Sequence, residues 1–441
     1  MARRVYGYAT GVFSSRKWER ATYDSVAVRD LAAKEHPDQD TIATVRKRVL
    51  AALKPLFVPI LLMAQQMAVL KLGPVSLDGT PIKATASKHR ALRWPQAGKL
   101  EKPLKAEVEA LLRQAEAADH ADLPDGLAIP EELARREERL AAIARAKAEI
   151  EPRAVNRQAE EPAHDEARRA ERNAKEQQTG KKAGGKPPQP PEPGPRDKDQ
   201  GNLTDEASRI MPPSGGGFAQ RYHAQASVDG DTMLMVGRHR SQHPNDKLEI
   251  QPARAAVRTL PEARGNIDIL LADTGYDSAT NVGKCLEHEI QPYSSRPRDP
   301  HHQSLQERFA EPEPLPDHAD AVTEMKHRLK TPDGRALYGK RKSTIEPVFG
   351  IIKAVRGFRQ FLLRGGESVC GEWDLVCMAW TLKRLHALGA SQRRERPLLL
   401  EKTRTDGGGR GDISKRPLLI PIAPVKTSVT VHYCGSSPTG S

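Results

Sequence analysis

The chain has 441 residues, a length that predicts two or three domains. Its 70 Lys and Arg outnumber its 57 Asp and Glu, which gives a net charge of +13 and favours a polyanionic partner such as nucleic acid over a merely basic protein. Aromatic residues make up only 4% of the chain, so contact between Lys or Arg and phosphates is favoured over base stacking.

The cysteines and the apolar runs limit where in the cell the protein is expected. The four cysteines show neither a CxxC pair nor the spacing of a zinc site, so they are interpreted as reduced thiols: Cys285, Cys370, Cys377 and Cys434. No apolar run approaches the ~20 residues of a membrane span, and no apolar stretch follows Arg3 and Arg4 as it would in a signal peptide. We therefore expect a cytoplasmic protein with no membrane partner.

Residues 1–72 are predicted to form a helical domain. A break at residues 36–38 separates two short helices, the second capped by Asp40 or Thr41, and a third helix includes residues 60–70. The apolar faces of the first two consist of Val26, Leu31, Ile42, Val45, Val49 and Leu53. Two interpretations stay open: a DNA-binding helix pair with a basic second helix, or a plain helical bundle with a solvated basic face.

A polar insertion over residues 95–200 is predicted to interrupt the chain after a first strand at 75–77. Helices are expected over 105–118 and 131–150, the second with Leu133, Leu140, Ile143 and Ile150 at heptad spacing. Because the pattern covers fewer than three heptads, an intramolecular helical hairpin is favoured over an oligomerising coiled coil. Residues 176–200, rich in Lys, Gly, Gln and Pro, predict a disordered linker, and residues 391–441 predict a disordered tail.

A second domain is predicted over residues 73–94 and 201–390. Its predicted elements are a strand at 222–228, a turn at 229–231, a return strand at 232–236, a helix at 248–260, a buried strand at 267–272, a helix from the Ser278 cap to Leu286, and helices at 342–355 and 373–388. This series predicts an α/β fold with a ribonuclease H-like mixed sheet flanked by helices.

Three acidic residues stand in contexts that indicate a metal site. Asp78 and Asp273 each end an apolar run, and Glu346 lies in a predicted basic helix. Acids at the carboxyl ends of buried strands point out of the sheet edge, and carboxylates suit Mg2+ or Mn2+. Two such metal ions per site can cleave phosphodiesters without a protein nucleophile, and the chain has no GxSxG, Walker loop or HExxH pattern.

Each of these acids also has an ordinary structural interpretation. Asp78 and Asp273 fit strand-ending turns, and Glu346 fits a salt-bridged surface helix. The basic residues near Glu346 instead favour phosphate contact: Lys340, Arg341, Lys342, Lys353, Arg356, Arg359 and Arg364. Glu346 and Lys353, seven apart, would share a helix face.

Other acids and histidines are rivals for the same chemistry. Asp229 and Asp231 fit a turn, and Asp246 fits either a helix cap or a group that supports a metal ligand. His223 and the pair at 301–302 could bind metal, but histidines in polar loops usually do not.

The sequence resembles insertion-sequence transposases of the DDE class that carry a Tyr–Arg–Glu–Lys signature, here Tyr338, Arg341, Glu346 and Lys353. The spacing from Arg341 to Glu346 is one residue longer than the commonest form, which leaves Lys342 as a rival to Arg341. The resemblance covers about residues 7–388, broken by the insertion. It rests on residues 14–17, 37–42, 77–80 (Leu-Asp-Gly-Thr), 202–205 (Asn-Leu-Thr-Asp), 272–276 (Ala-Asp-Thr-Gly-Tyr) and 346–350 (Glu-Pro-Val-Phe-Gly).

This resemblance implies a ribonuclease H-like fold, Mg2+, terminal inverted-repeat DNA as substrate and a homodimer in the synaptic complex. It implies that Asp78, Asp273 and Glu346 bind the metal ions, and that Tyr338, Arg341 and Lys353 contact the DNA end. The expected function is cleavage of insertion-sequence ends and strand transfer to target DNA, in bacterial cytoplasm on nucleoid DNA. Two alternatives stay open: a ribonuclease H-like nuclease, and an inactive DNA-binding remnant of a transposase.

Overall fold

The computed structural model describes residues 2–70, 72–118, 129–179, 193–212, 217–243, 246–258, 267–295, 314–316 and 318–395. Three predictions fall wholly or largely outside these residues. They are residues 180–192 of the linker predicted at 176–200, residues 396–441 of the tail predicted at 391–441, and the histidine pair at 301–302. Residues 391–395, predicted as tail, are helical.

A mixed sheet forms the centre of the described chain. The strands of the described residues are β1 Pro74–Lys83, β2 Ala91–Arg93, β3 Gln200–Asn202, β4 Arg209–Met211, β5 Ala219–Asp229, β6 Met235–Ser241, β7 Ile269–Ala272 and β8 Gln291–Ser294. β2 and β3 form a separate two-stranded sheet, and the other six strands form the central sheet. The strand order is β6–β5–β1–β7–β8. β4 pairs with the same edge of β5 as β6 does: β4 pairs with residues 219–221 and β6 with residues 223–228. β5 runs antiparallel to β1, whereas β7 and β8 run parallel to it. This mixed α/β architecture is compatible with the expected ribonuclease H-like fold.

The first strand is longer than the sequence predicts. β1 pairs with β5 from Val75 to Lys83, although its pairing with β7 ends at Ser76. The prediction that the strand ends at Leu77 is therefore wrong, because the antiparallel partner extends it beyond the apolar run.

The return strand of the hairpin also differs from the prediction. Asp229 accepts hydrogen bonds from both the backbone and the hydroxyl of Thr232, and Met233 adopts a positive φ of 59°. These contacts keep residues 230–234 in the turn, so β6 begins at Met235 rather than at residue 232.

Helices surround the sheet. They are α1 Ala2–Thr10, α2 Ser15–Asp24, α3 Val26–Leu31, α4 Gln39–Leu53, α5 Phe57–Gln66, α6 Trp94–Ala118, α7 Ile129–Thr179, α8 Ile250–Arg258, α9 Ala279–Leu286, α10 Ala321–Lys330, α11 Pro332–Ser343, α12 Ile345–Gly350 and α13 Gly366–Glu395. As predicted, Ser278 caps α9, where its hydroxyl accepts a hydrogen bond from the backbone of Asn281.

In the N-terminal helices, the cap and the buried face differ from the prediction. Asp38, not Asp40 or Thr41, caps α4, because its carboxylate accepts the backbone N–H groups of both those residues. Val26 and Val45 are exposed rather than part of the apolar face.

A continuous helical run, Gln39–Gln66, is long and apolar enough by length and composition to cross a membrane. That finding corrects the expectation that no run approaches a membrane span. Buried core helices have the same composition, and Leu53, Phe57 and Leu61 of this run pack in the core of the described chain.

The insertion contains two helices that pack against each other. Ion pairs Lys147–Glu101 (2.9 Å) and Arg136–Glu107 (2.8 Å) show that α6 and α7 run antiparallel, and Ile143 is buried between them. α7 continues to Thr179, so residues 176–179, predicted as linker, are helical.

The helix predicted over 342–355 is instead broken at Thr344. The Thr344 hydroxyl donates to Lys340 O (2.9 Å) and lies 3.0 Å from Ser76 Oγ of β1. This contact with the sheet ends α11 and starts α12, which is followed by one π-helical turn, Ile351–Val355. α13 begins seven residues before the predicted helix.

A buried carboxylate ties α13 to the N-terminal helices. Glu372 is fully buried and accepts hydrogen bonds from the Tyr8 hydroxyl (2.6 Å) and from the backbone N–H groups of Leu362 (2.9 Å) and Leu363 (3.0 Å). Burial raises the pKa of Glu372, and these donors oppose that shift.

We expect Glu372→Ala to lower the free energy of unfolding by about 2–4 kcal/mol, because it leaves three buried donors without an acceptor. Glu367→Ala, which removes an exposed acid from the first turn of the same helix, is the control and should change it by less than about 1 kcal/mol. Urea denaturation measures both. Equal effects of the two substitutions would contradict this role of Glu372.

Candidate active site

The three predicted acids come from three elements that meet at one end of the sheet. Ser76 of β1 pairs with Leu271 of β7, so Asp78 and Asp273 each lie two residues beyond that pair. Because the two strands are parallel, their carboxylates emerge side by side. Glu346 lies in the first turn of α12, which the contact between Ser76 and Thr344 fixes to β1.

Arg341 of α11 lies between the three acids. Its guanidinium is 3.0 Å from Asp78 Oδ2, 3.8 Å from Asp273 Oδ2 and 3.9 Å from Glu346 Oε1, and its side chain is only 11% exposed. The neighbouring Lys342 is exposed. Of the two rival basic residues, Arg341 is therefore the one that the fold places at the acids.

Asp78 and Asp273 each divide their two carboxylate oxygens between the backbone and this guanidinium. Asp78 Oδ1 accepts the N–H of Gly79 (2.9 Å), and Asp273 Oδ1 accepts the N–H of Gly275 (2.8 Å). The other oxygen of each faces Arg341. One oxygen of each acid therefore makes the contact that a strand-ending turn predicts, and the other oxygen faces Arg341. The metal-binding role of these acids stays a prediction.

The electrostatics of the site centre on Asp78. Burial raises the pKa of Asp78 to about 6, although the Arg341 guanidinium opposes the shift, and the carboxylates of Asp273 and Asp246 add to it. Burial lowers the pKa of Arg341, but the acids around it raise it more, so the guanidinium stays charged. A further cation that approaches the Asp78 carboxylate would therefore favour its ionised form.

Asp246 is a fourth acid beside the site. Its Oδ1 accepts a hydrogen bond from Gln225 Nε2 (2.6 Å) and lies 3.5 Å from His223 Nε2. The Tyr276 hydroxyl donates to Gln225 Oε1 (2.5 Å), and both Gln225 and Tyr276 are fully buried. Asp246 thus supports the strand end that carries Asp273, which fits the second of its two sequence interpretations.

Two glycines make room for this fourth acid. A Cβ on Gly79 would collide with Gln225 Nε2 and lie 2.5 Å from His223 Nε2 and 2.7 Å from Asp246 Oδ1. A Cβ on Gly275 would lie 3.0 Å from both Asp246 Oδ2 and Asp273 Oδ1. This close contact was not predicted from the sequence; the glycines that follow the acids in the Asp-Gly and Asp-Thr-Gly motifs are the sequence feature that could have indicated it.

The other residues predicted to contact DNA or phosphate differ in their burial and in their distance from the acids. Lys353, in the π-helical turn, donates a hydrogen bond to Thr80 Oγ1 of β1, close to Asp78. Tyr338 is half-buried one turn before Arg341 on α11. Arg356, in contrast, is buried over the ring of Trp380, 5.1 Å from its centroid. The prediction that Arg356 is one of the basic residues available for phosphate contact near Glu346 is therefore wrong.

The rival acids of the hairpin take structural positions. Asp229 caps the β5–β6 turn through Thr232, and Asp231 pairs with Lys340 (3.1 Å). His223 is buried between Asp246 and the carbonyl of His243. Among the described residues, no three His, Cys, Asp or Glu side chains are close enough together to hold a metal ion.

Comparison with protein families finds a match in the C-terminal part of the chain. Residues 310–386 match the model of the transposase DDE domain. The match supports an insertion-sequence DDE transposase. No curated protein and no solved structure matches the chain. The matched transposase segment holds Arg341 and Glu346, whereas Asp78 and Asp273 lie outside it and are joined to it by the fold.

Gly79→Ala tests the crowding beneath the site. We expect it to lower the free energy of unfolding by about 1–3 kcal/mol, because the new methyl group must displace buried polar side chains. The control is Gly98→Ala in α6, where a Cβ meets nothing within 4 Å; it should stabilise the protein by up to about 1 kcal/mol. Urea denaturation of the two variants measures the difference, and a neutral Gly79→Ala would contradict the packing described.

Asp78→Asn tests the charge balance in metal-free protein. The folded-state pKa of Asp78, about 6, exceeds the unfolded value, so its ionisation costs folded-state stability as pH rises from 4 to 7. The stability of the variant relative to wild type should therefore increase by roughly 2–3 kcal/mol over that range. Thermal unfolding at several pH values measures this difference; a pH-independent difference would contradict the raised pKa.

Proposed function

We propose that the chain is a DDE transposase that cleaves insertion-sequence DNA ends and transfers their 3′-hydroxyls to target DNA with Mg2+ or Mn2+. The observation that carries this proposal is the convergence of Asp78, Asp273 and Glu346 on one guanidinium. Separate elements carry these acids, so a common cationic centre is what unites them. The transposase DDE domain match supports the same reaction class.

The oxygen atoms at this site are of the kind that binds divalent metal ions, but in the described structure the Arg341 guanidinium lies between the three acids, and they are not close enough together to hold a metal ion. The Arg341 guanidinium is a stand-in cation at the point where the three carboxylates meet, and every donor facing it is a hard oxygen of the kind that Mg2+ and Mn2+ prefer. Asp78, Asp273 and Glu346 would hold two such ions. When bound, two ions activate the attacking oxygen and stabilise the leaving one in phosphodiester chemistry.

The remaining residues of the site would position the DNA and the acids. Lys353, held against β1 through Thr80, and Tyr338 and Arg341 on α11 are proposed contacts of the DNA end. Asp246 would hold the Asp273 turn in place through Gln225 and Tyr276. The proposed partners are terminal inverted repeats and target DNA, with a homodimer in the synaptic complex, acting on nucleoid DNA in bacterial cytoplasm. The helical domain at 1–72 remains a candidate DNA-binding domain.

Replacing Asp78, Asp273 or Glu346 by Ala should abolish strand cleavage, because each removes a metal ligand, while leaving DNA binding largely intact. The measurement is cleavage and joining of end-repeat DNA with Mg2+ or Mn2+. The control is Asp231→Ala, which removes an exposed acid outside the site and should retain activity. Wild-type activity in the Asp273→Ala variant would sink the assignment.

The same assay separates the two alternatives. Nicking without joined product would indicate a ribonuclease H-like nuclease. DNA binding with no metal-dependent cleavage would indicate an inactive remnant of a transposase.

A further inference from the structure

A group of cations surrounds the half of β1 that follows Asp78. Lys83 at the end of β1 pairs in register with Arg221 of β5. Lys353 lies against the same strand at Thr80, and its pKa is lowered first by burial and then by the nearby Arg221 guanidinium. Positive charges thus stand close together immediately beyond the catalytic acids.

Two neighbouring segments extend this group. One is the 3-10 turn Lys88–Arg90, which follows β1 in the chain. The other is the segment 359–361, which hydrogen-bonds to Lys83 through Arg359 O (3.2 Å) and Phe361 N (2.8 Å). We define the β1 basic cluster as Lys83, Lys88, Arg90, Arg221, Arg359 and Arg364.

Unlike other cations of this protein, the members of the β1 basic cluster form no ion pair among the described residues, although the Arg364 guanidinium acts on the Asp205 carboxyl from a longer distance. Arg157–Asp199 and Arg238–Asp374 are examples of neutralised pairs, at 2.9 and 2.6 Å. The buried Nε of Arg221 also has no hydrogen-bond partner within the described part of the chain. Uncompensated cations at this density favour an external polyanion.

A cleft of about 500 Å3 lies within the cluster. Its walls include Lys83, Arg90 and Arg364, together with the small residues of segment 84–87. From Asp78 to Lys83 the strand advances about 17 Å at ~3.3 Å per residue, which corresponds to about five base-pair steps of duplex DNA at 3.4 Å each. The cleft is therefore one short stretch of duplex away from the acids.

We propose that the β1 basic cluster binds the phosphodiester backbone of duplex DNA and leads it from the three acids along β1 toward the base of the helical insertion. This site deepens the proposed transposase function and rests on it. Contact is with phosphates, so it is independent of base sequence. The strand that carries Asp78 then also carries the residues that fix the DNA relative to it.

The test is the salt dependence of DNA binding by the full chain, without divalent metal, using a 40-base-pair duplex of arbitrary sequence. Lys83→Gln/Lys88→Gln/Arg90→Gln removes three exposed cations of the cluster. We expect the slope of log affinity against log salt to fall by about 3, and affinity near 0.1 M salt to fall at least about tenfold. The charge-preserving variant Lys83→Arg/Lys88→Arg/Arg90→Lys should bind like wild type.

The matched control, Lys284→Gln/Lys326→Gln/Lys330→Gln, removes the same charge from α9 and α10, which pack at the β8 edge of the sheet. It should change the slope by less than about 1. Equal slopes for wild type and the cluster variant, or equal losses in the cluster and control variants, would overturn the proposal. So would tighter, cluster-dependent binding of duplex RNA.

This outcome is separable from the catalytic proposal. Cluster-dependent binding by a protein that never cleaves DNA would sustain this site and contradict the transposase reaction. Metal-dependent cleavage by the wild-type protein, together with an unchanged salt slope in the cluster variant, would support the transposase reaction and contradict this DNA-binding site.

Discussion

The interaction on which the site depends is the contact of one buried arginine with three carboxylates. Asp78, Asp273 and Glu346 would repel one another in this half-buried setting without a cation between them. Arg341 supplies that cation, and the acids in turn keep it charged despite its burial. Removing either side would leave a buried charge without compensation. The positions of β1, β7, α11 and α12 are therefore coupled through charge as well as through apolar packing.

Strand β1 relates this charge balance to the rest of the fold. Its pairing with β7 ends before Asp78, which frees the end of the sheet for the acids, while its pairing with β5 continues to Lys83. The extended half of the strand then lies among uncompensated cations. The apolar first half anchors the strand in the core, where Val75 and Leu77 are fully buried. One strand thus joins core, proposed chemistry and proposed DNA contact.

The sequence predicted the parts of this arrangement that depend only on residues close together in the chain. Apolar runs located the first half of β1, the strand β7 and the acids that end these runs, and Ser278 marked the start of α9. The length of β1 could not be predicted, because it depends on pairing with β5, whose paired residues lie 138 to 154 positions further along the chain. The break before Glu346 depends on a contact between Thr344 and Ser76, and the place of Asp246 depends on Gln225 and two glycines. Val26 and Val45 fit an apolar period, yet tertiary packing leaves them exposed. The domain boundaries and the predicted DNA contacts stay predictions.

The most direct test of the central claim is the affinity of the full chain for Mn2+ in the wild-type, Asp273→Ala and Asp231→Ala proteins. The electron paramagnetic resonance signal of the free ion measures how much Mn2+ each protein binds. If Asp78, Asp273 and Glu346 form one metal centre whose acids Arg341 keeps together in the metal-free protein, wild type and Asp231→Ala bind Mn2+ with the same affinity. Asp273→Ala then loses at least about tenfold in affinity. Equal Mn2+ binding by all three proteins would contradict that claim.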